Sequence, residues 1–93
     1  MADRTTKYTL TNAWSSTNRY TAAGDTDVLL VNNNGGKQRV AFAETTNDTA
    51  PTMLPHEASI LNAGENFGWT LLDTTRLWMA LANGSEGTAA LTV

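Results

Sequence analysis

The sequence predicts an all-β domain, a compact antiparallel β-sandwich or small jelly roll of about seven short strands. Three observations lead there. Charged residues make up 16% of the chain, against about 25% in typical soluble domains, and Thr, Asn, Ala and Gly take their place. No window of a dozen residues carries apolar positions at helical spacing without a Gly, an Asn or a Thr cluster breaking it. Short apolar or alternating runs recur instead, separated by turn residues at the spacing of a sandwich or barrel.

The elements follow in order. Residues 1–7 are polar and read as a flexible N-terminal arm, ahead of one domain over residues 8–93. A chain of this length buries roughly 60–65% of its unfolded surface, enough for a single modest core. Tyr8-Thr9-Leu10-Thr11 alternates as a short strand. A long connection follows, holding Trp14 and a weak strand near Arg19 to Ala22. Asp27-Val28-Leu29-Leu30-Val31-Asn32 is continuously apolar within, as a central strand buried on both faces would be. Asn33-Asn34-Gly35-Gly36 tolerates positive φ and leads into Arg39-Val40-Ala41-Phe42-Ala43, so the two strands are expected to pair as a β-hairpin.

Residues 44–57 contain both prolines and read as an exposed loop. Ala58 to Leu61 and Phe67 to Leu72 are the next strands. Arg76 to Ala82 looks like a second central strand, joined through Asn83-Gly84-Ser85-Glu86-Gly87 to an alternating last strand, Thr88 to Val93. These two are expected to form a hairpin whose final strand lies at a sheet edge able to pair with a neighbour. The expected core is Val28, Leu30, Val40, Phe42, Ile60, Leu71, Leu77, Met79 and Leu91.

Side chains that carry chemistry are sparse. There is one histidine, His56, and no cysteine, so a nucleophilic triad would have to be built on a loop residue beside Pro55. Zinc would have only carboxylates beyond that one ligand. Asp25-Thr26-Asp27 is the one Asp-x-Asp, and Asp48, Glu65 or Asp73 could approach it. Calcium wants about six to eight oxygens, and no loop offers them at a recognisable spacing, so these acids read as turn residues. Gly35-Gly36-Lys37 lacks the spacing of a phosphate loop. The expectation is a protein without catalysis and without a cofactor.

Net charge is −3 and the six basic residues are scattered, which disfavours binding to phosphate backbones. No apolar run approaches the roughly 20 residues of a membrane span, and the N-terminus has no apolar signal core. Neither nucleic acid nor membrane is an expected partner. The absence of cysteine fits a reducing compartment. Asn47-Asp48-Thr49 and Asn83-Gly84-Ser85 match the glycosylation pattern and read as turns.

The strand and turn Asp-Val-Leu-Leu-Val-Asn-Asn, then Arg-Val-Ala-Phe-Ala, a proline-containing loop, a strand ending in Ala-Gly-Glu, and Leu-Trp-Met-Ala-Leu-Ala leading to Thr-Ala-Ala-Leu-Thr-Val form a recognisable series. In style and order it resembles the small β-rich virion proteins of tailed bacteriophages, in particular capsid decoration (cement) or head-accessory proteins. The resemblance runs from Asp27 to Val93. It implies a non-enzymatic structural protein, assembled in the bacterial cytoplasm into a virion. Such a protein binds the major capsid protein on the finished shell, as a homo-oligomer and often a trimer, and stabilises it.

The contact residues expected on that basis are Asp3, Arg4, Thr5, Thr6 and Lys7 of the arm, Trp14, then Asn33, Asn34 and Lys37 of the turn, and Pro51, Met53 and Pro55 of the loop. A rival expectation is a carbohydrate- or host-surface-binding module of a phage tail or fibre, with Trp14, Tyr20 and Trp69 lining the sugar face. Trp78, between Leu77 and Met79, is expected to be buried in the core or in a subunit interface.

Overall fold

Eight strands form two four-stranded antiparallel sheets in the computed structural model, which describes residues 5–34, 38–84 and 86–93. They are β1 Thr5–Leu10, β2 Arg19–Thr21, β3 Thr26–Val31, β4 Val40–Thr45, β5 Ser59–Leu61, β6 Asn66–Leu71, β7 Arg76–Leu81 and β8 Gly87–Thr92. One sheet has the order β1-β8-β3-β6 and the other β2-β7-β4-β5. The pairs are nested, with β4 on β5, β3 on β6, β2 on β7 and β1 on β8. The chain is thus one long hairpin rolled over on itself, the strand order of a jelly roll. The all-β sandwich is as expected, with eight strands rather than about seven.

Neither expected hairpin forms. β3 and β4 lie in opposite sheets, and so do β7 and β8. The chain leaves β3 through Asn32, Asn33 and Asn34 and enters β4 from Gln38 and Arg39 in the opposite sheet, while Gly35 to Lys37 lie outside the described residues. β8 is not an edge, because it sits between β1 and β3. β3 is not buried on both faces either: Val28 and Leu30 enter the core, whereas Leu29 on the opposite face is 39% exposed. Thr5, Thr6 and Lys7, expected in the arm, belong to β1 instead and pair with Thr92, Leu91 and Ala90. Met1 to Arg4 lie outside the described residues.

Alternation places one row of each strand in the core. Leu10, Val28, Leu30, Val40, Leu61, Leu71, Leu77, Met79, Leu81, Ala89 and Leu91 fill it. Two expected core residues stand elsewhere. Leu61 occupies the inward position of β5, so Ile60 points to the other face, half-buried. Phe42 packs on the core only from its margin, half-buried.

Asn32, at the end of β3, has no exposed surface. Its amide donates to the carbonyls of Leu61 (2.9 Å) and Gln38 (3.0 Å). Its carbonyl oxygen accepts from the backbone N–H of Asn34 (3.0 Å) and from the Asn34 side-chain amide (2.8 Å). Asn34 in turn exchanges two 2.8 Å hydrogen bonds with the backbone of Thr88. One buried side chain thus links β5 of one sheet to β8 of the other through its neighbour. Gly87 makes room for this arrangement, since a Cβ there would stand 2.8 Å from the Asn34 side-chain oxygen.

The outer faces of the sheets differ. Trp78, Ala80 and Ala41 point away from the core yet are 3%, 0% and 0% exposed. Two 3₁₀ turns, Ser16–Asn18 and Pro55–Glu57, pack on β7, and the second also packs on β4. Pro55 is buried there, so the loop expected to be exposed is partly a third layer. Trp78 is buried as expected, with its indole N–H donating to Thr45 (2.8 Å) and the Arg19 guanidinium 5.1 Å from the ring centroid. The other sheet's outer face is bare, with Thr5, Lys7, Thr9, Asp27, Leu29 and Thr70 exposed along it.

Truncating Asn32→Ala removes four hydrogen bonds, so urea unfolding should show a loss of about 3 kcal/mol. Burial, with the Tyr20 charge as a smaller cause, pushes the Tyr8 phenol above its ordinary range. The folded state therefore holds this proton longer than the unfolded chain does. The associated stability is intact below about pH 10 and is lost as pH rises through the higher folded value. Melting curves taken across the alkaline range should fall less steeply for Tyr8→Phe than for the wild-type chain.

Candidate functional site

The sandwich is open along one margin, where β6 faces β4 and β5. Phe67, Trp69 and Leu71 share the core-facing side of β6. Cover thins along that row: Leu71 is fully buried, Trp69 half-buried and Phe67 50% exposed. Phe42 reaches across from β4 and stacks on Trp69, ring centroids 5.4 Å apart and planes at 29°. Phe67 closes the triangle at 5.2 Å from Trp69 and 6.0 Å from Phe42. The Trp69 indole N–H donates to the Glu44 carboxylate at 3.2 Å, which fixes the edge of the ring.

Beside this cluster lies a shallow cleft of about 690 Å³, with Trp69, Thr70 and Leu72 on one wall and the loop from Glu44 to Met53 on the other. The loop is tied down at several points. Thr49 N–H donates to Asn47, and Arg76 donates to Asp48 (2.9 Å) and to the Thr46 carbonyl (3.1 Å). Trp14 donates its indole N–H to the Met53 carbonyl at 2.8 Å. Leu54 N–H donates to the Glu57 carboxylate at 2.9 Å, and Glu57 N–H returns to the Leu54 carbonyl. Between these ties the side chains of Met53 and Leu54 stand out, 43% and 57% exposed. Leu72, on the opposite wall, is 62% exposed.

The contact residues expected from sequence are dispersed. Asp3, Arg4 and Lys37 lie outside the described residues. Thr5, Thr6 and Lys7 are exposed on β1. Asn33 is exposed and accepts from the Thr88 hydroxyl at 2.8 Å. Asn34 is occupied by the Asn32 network and is structural. Pro55 is buried in the 3₁₀ turn that packs on β4 and β7, whereas Pro51 is half-buried in the cleft wall. Trp14 is half-buried and acts through Met53, the one expected residue that stands fully in the site. Of the three aromatics expected on a sugar face, Trp69 alone lines the cleft, and Tyr20 packs against the core.

Sequence reasoning missed Leu54, Phe67 and Leu72, and it assigned Phe42 to the core. Phe67 and Trp69 show alternation, but alternation marks a face and does not say where the opposing sheet ends. The acids of the turns are engaged by backbone: Asp73 accepts from Gly24 N–H (2.7 Å) and Asp25 from Asp73 N–H (2.9 Å). Among the described residues, no three His, Asp or Glu side chains gather as a metal site requires. Against protein-family models, curated proteins and solved structures, the chain matches none.

Trp14→Phe keeps an aromatic ring, though a smaller one, and removes the donor to Met53. Amide exchange over residues 46–54 should accelerate severalfold, with a stability loss of about 1 kcal/mol, the net worth of one hydrogen bond.

Proposed function

We propose that this protein is a non-enzymatic virion protein of a tailed bacteriophage that binds the assembled capsid as a decoration protein. One observation carries the reading: Met53 and Leu54 are apolar, exposed and held on a loop whose backbone is tied by Trp14 and Glu57. Exposed apolar groups on a pre-ordered loop lose little conformational entropy on docking, which suits a rigid protein surface. The bacteriophage resemblance supplies the surface, the shell of the major capsid protein. The jelly-roll order suits the reading without selecting it, since capsid and lectin domains share it. Expected homo-oligomers and virion location belong to the same proposal.

Mixing the protein with undecorated capsids of the phage that encodes it, followed by sedimentation, tests this. The wild-type chain should pellet with the shells and raise their resistance to heat. Met53→Asp with Leu54→Asp should weaken binding at least about tenfold, because two apolar contacts become buried charges. Wild-type protein left wholly in the supernatant sinks the proposal.

A further inference from the structure

Every open sheet has two edges, and a sandwich must keep its edges from pairing with foreign strands. Here the four edges are β1 and β6 in one sheet and β2 and β5 in the other. β2 and β5 are three residues long, too short to template another strand. β1 carries Lys7 exposed at its middle, a charge that an incoming strand would have to bury. Among the described residues β6 has no such protection. It runs six residues, Asn-Phe-Gly-Trp-Thr-Leu, with no charge and no proline, and its pairing with β3 continues without a bulge from Asn66 to Leu71. The cleft beside Trp69 and Thr70 leaves space along that edge. Exposed apolar side chains lie near it on both faces of the sheet: Phe67 on the core-facing side of the strand, Leu72 just after it, and Leu29 on the outer face of β3 opposite Gly68.

We infer that the free edge of β6 pairs with β6 of a second copy of the chain, antiparallel and two-fold symmetric about Gly68. The strand is self-complementary in this register. Residues directly opposite on antiparallel strands share a face. With Gly68 facing its own twin, Phe67 falls opposite Trp69 on the core-facing side, and Asn66 opposite Thr70 on the outer side. Each pair occurs twice. The first is an aromatic cross-strand pair, and the second sets an amide against a hydroxyl. Centring on Trp69 instead sets Phe67 against Leu71, which is already fully buried. A two-fold contact of this kind closes on itself, so it yields a dimer and not a fibre. The two four-stranded sheets then become one sheet of eight strands, and the exposed Phe67 is covered. The partner is a copy of the chain because the edge asks for an uncharged strand with alternating aromatics, which β6 itself supplies. The inference does not rest on the capsid reading, which uses Met53 and Leu54.

The full-length chain tests it by analytical ultracentrifugation. Wild-type protein should sediment as a dimer. Gly68→Lys should sediment as a monomer with an unchanged far-UV spectrum. A Cβ at Gly68 meets nothing nearer than the Val28 carbonyl oxygen at 3.5 Å, so the monomer accepts the side chain, while the dimer would place two ammonium groups face to face. The native chain has no cysteine, so Gly68→Cys treated with oxidised glutathione should form an interchain disulfide, and Thr9→Cys on β1 should not. A wild-type monomer at the highest soluble concentration overturns the inference. So does a Gly68→Lys protein that associates as the wild type does, or crosslinking from Gly68→Cys no greater than from Thr9→Cys. Dimerisation of Gly68→Lys and capsid binding by Met53→Asp with Leu54→Asp are read separately, so either proposal can fail alone.

Discussion

The structure depends on the fully buried amide of Asn32. A side chain with two donors and one two-lone-pair acceptor is costly to bury unless each is matched. Here each is matched: two backbone carbonyls take the donors, and Asn34 supplies both hydrogens to the acceptor. Hydrophobic packing between the sheets is non-directional and would tolerate sliding. The amide network is directional, so it fixes where β3 leaves its sheet, where β5 ends and where β8 begins. The crossing of the chain from β3 to the second sheet starts beside this network, which ties the end of β3 to β5 and, through Asn34, to β8.

That crossing also explains why the sequence was only partly legible. The strands themselves announce their presence: Val28 and Leu30, Leu77 and Met79, Ala89 and Leu91 carry the alternation or apolar runs that mark them. The pairings do not announce themselves. Asn33 to Gly36 has the residue types of a tight hairpin turn, and nothing local distinguishes a turn that reverses the chain from one that carries it to another sheet. The difference is made by Asn32 finding the Leu61 carbonyl 29 residues away. Local pattern cannot show a partner at that distance. The same limit hid Leu54 and Leu72: each follows another apolar residue, Met53 or Leu71, and local pattern does not say which of two adjacent apolar side chains stays exposed.

Exposure in this molecule is set by where each sheet runs out of cover. One outer face is covered by two 3₁₀ turns, so Trp78 and Ala80 are buried on a side that alternation alone would leave to solvent. Among the described residues the opposite outer face has no such layer, and Thr5, Lys7, Thr9, Asp27, Leu29 and Thr70 stand exposed along it. At the open margin, the row Phe67, Trp69, Leu71 passes from solvent to core within five residues. An aromatic cluster that is half core and half surface is the result.

The place of β8 between β1 and β3 has a consequence for synthesis. Until the ribosome has passed Thr92, β1 and β3 have no common neighbour, and their sheet exists only as the separate pair β3 and β6. Nearly every strand pairing joins distant parts of the chain, a topology that folds slowly. The nascent polypeptide therefore spends its translation with open strand edges, when unpaired strands are most prone to aggregate.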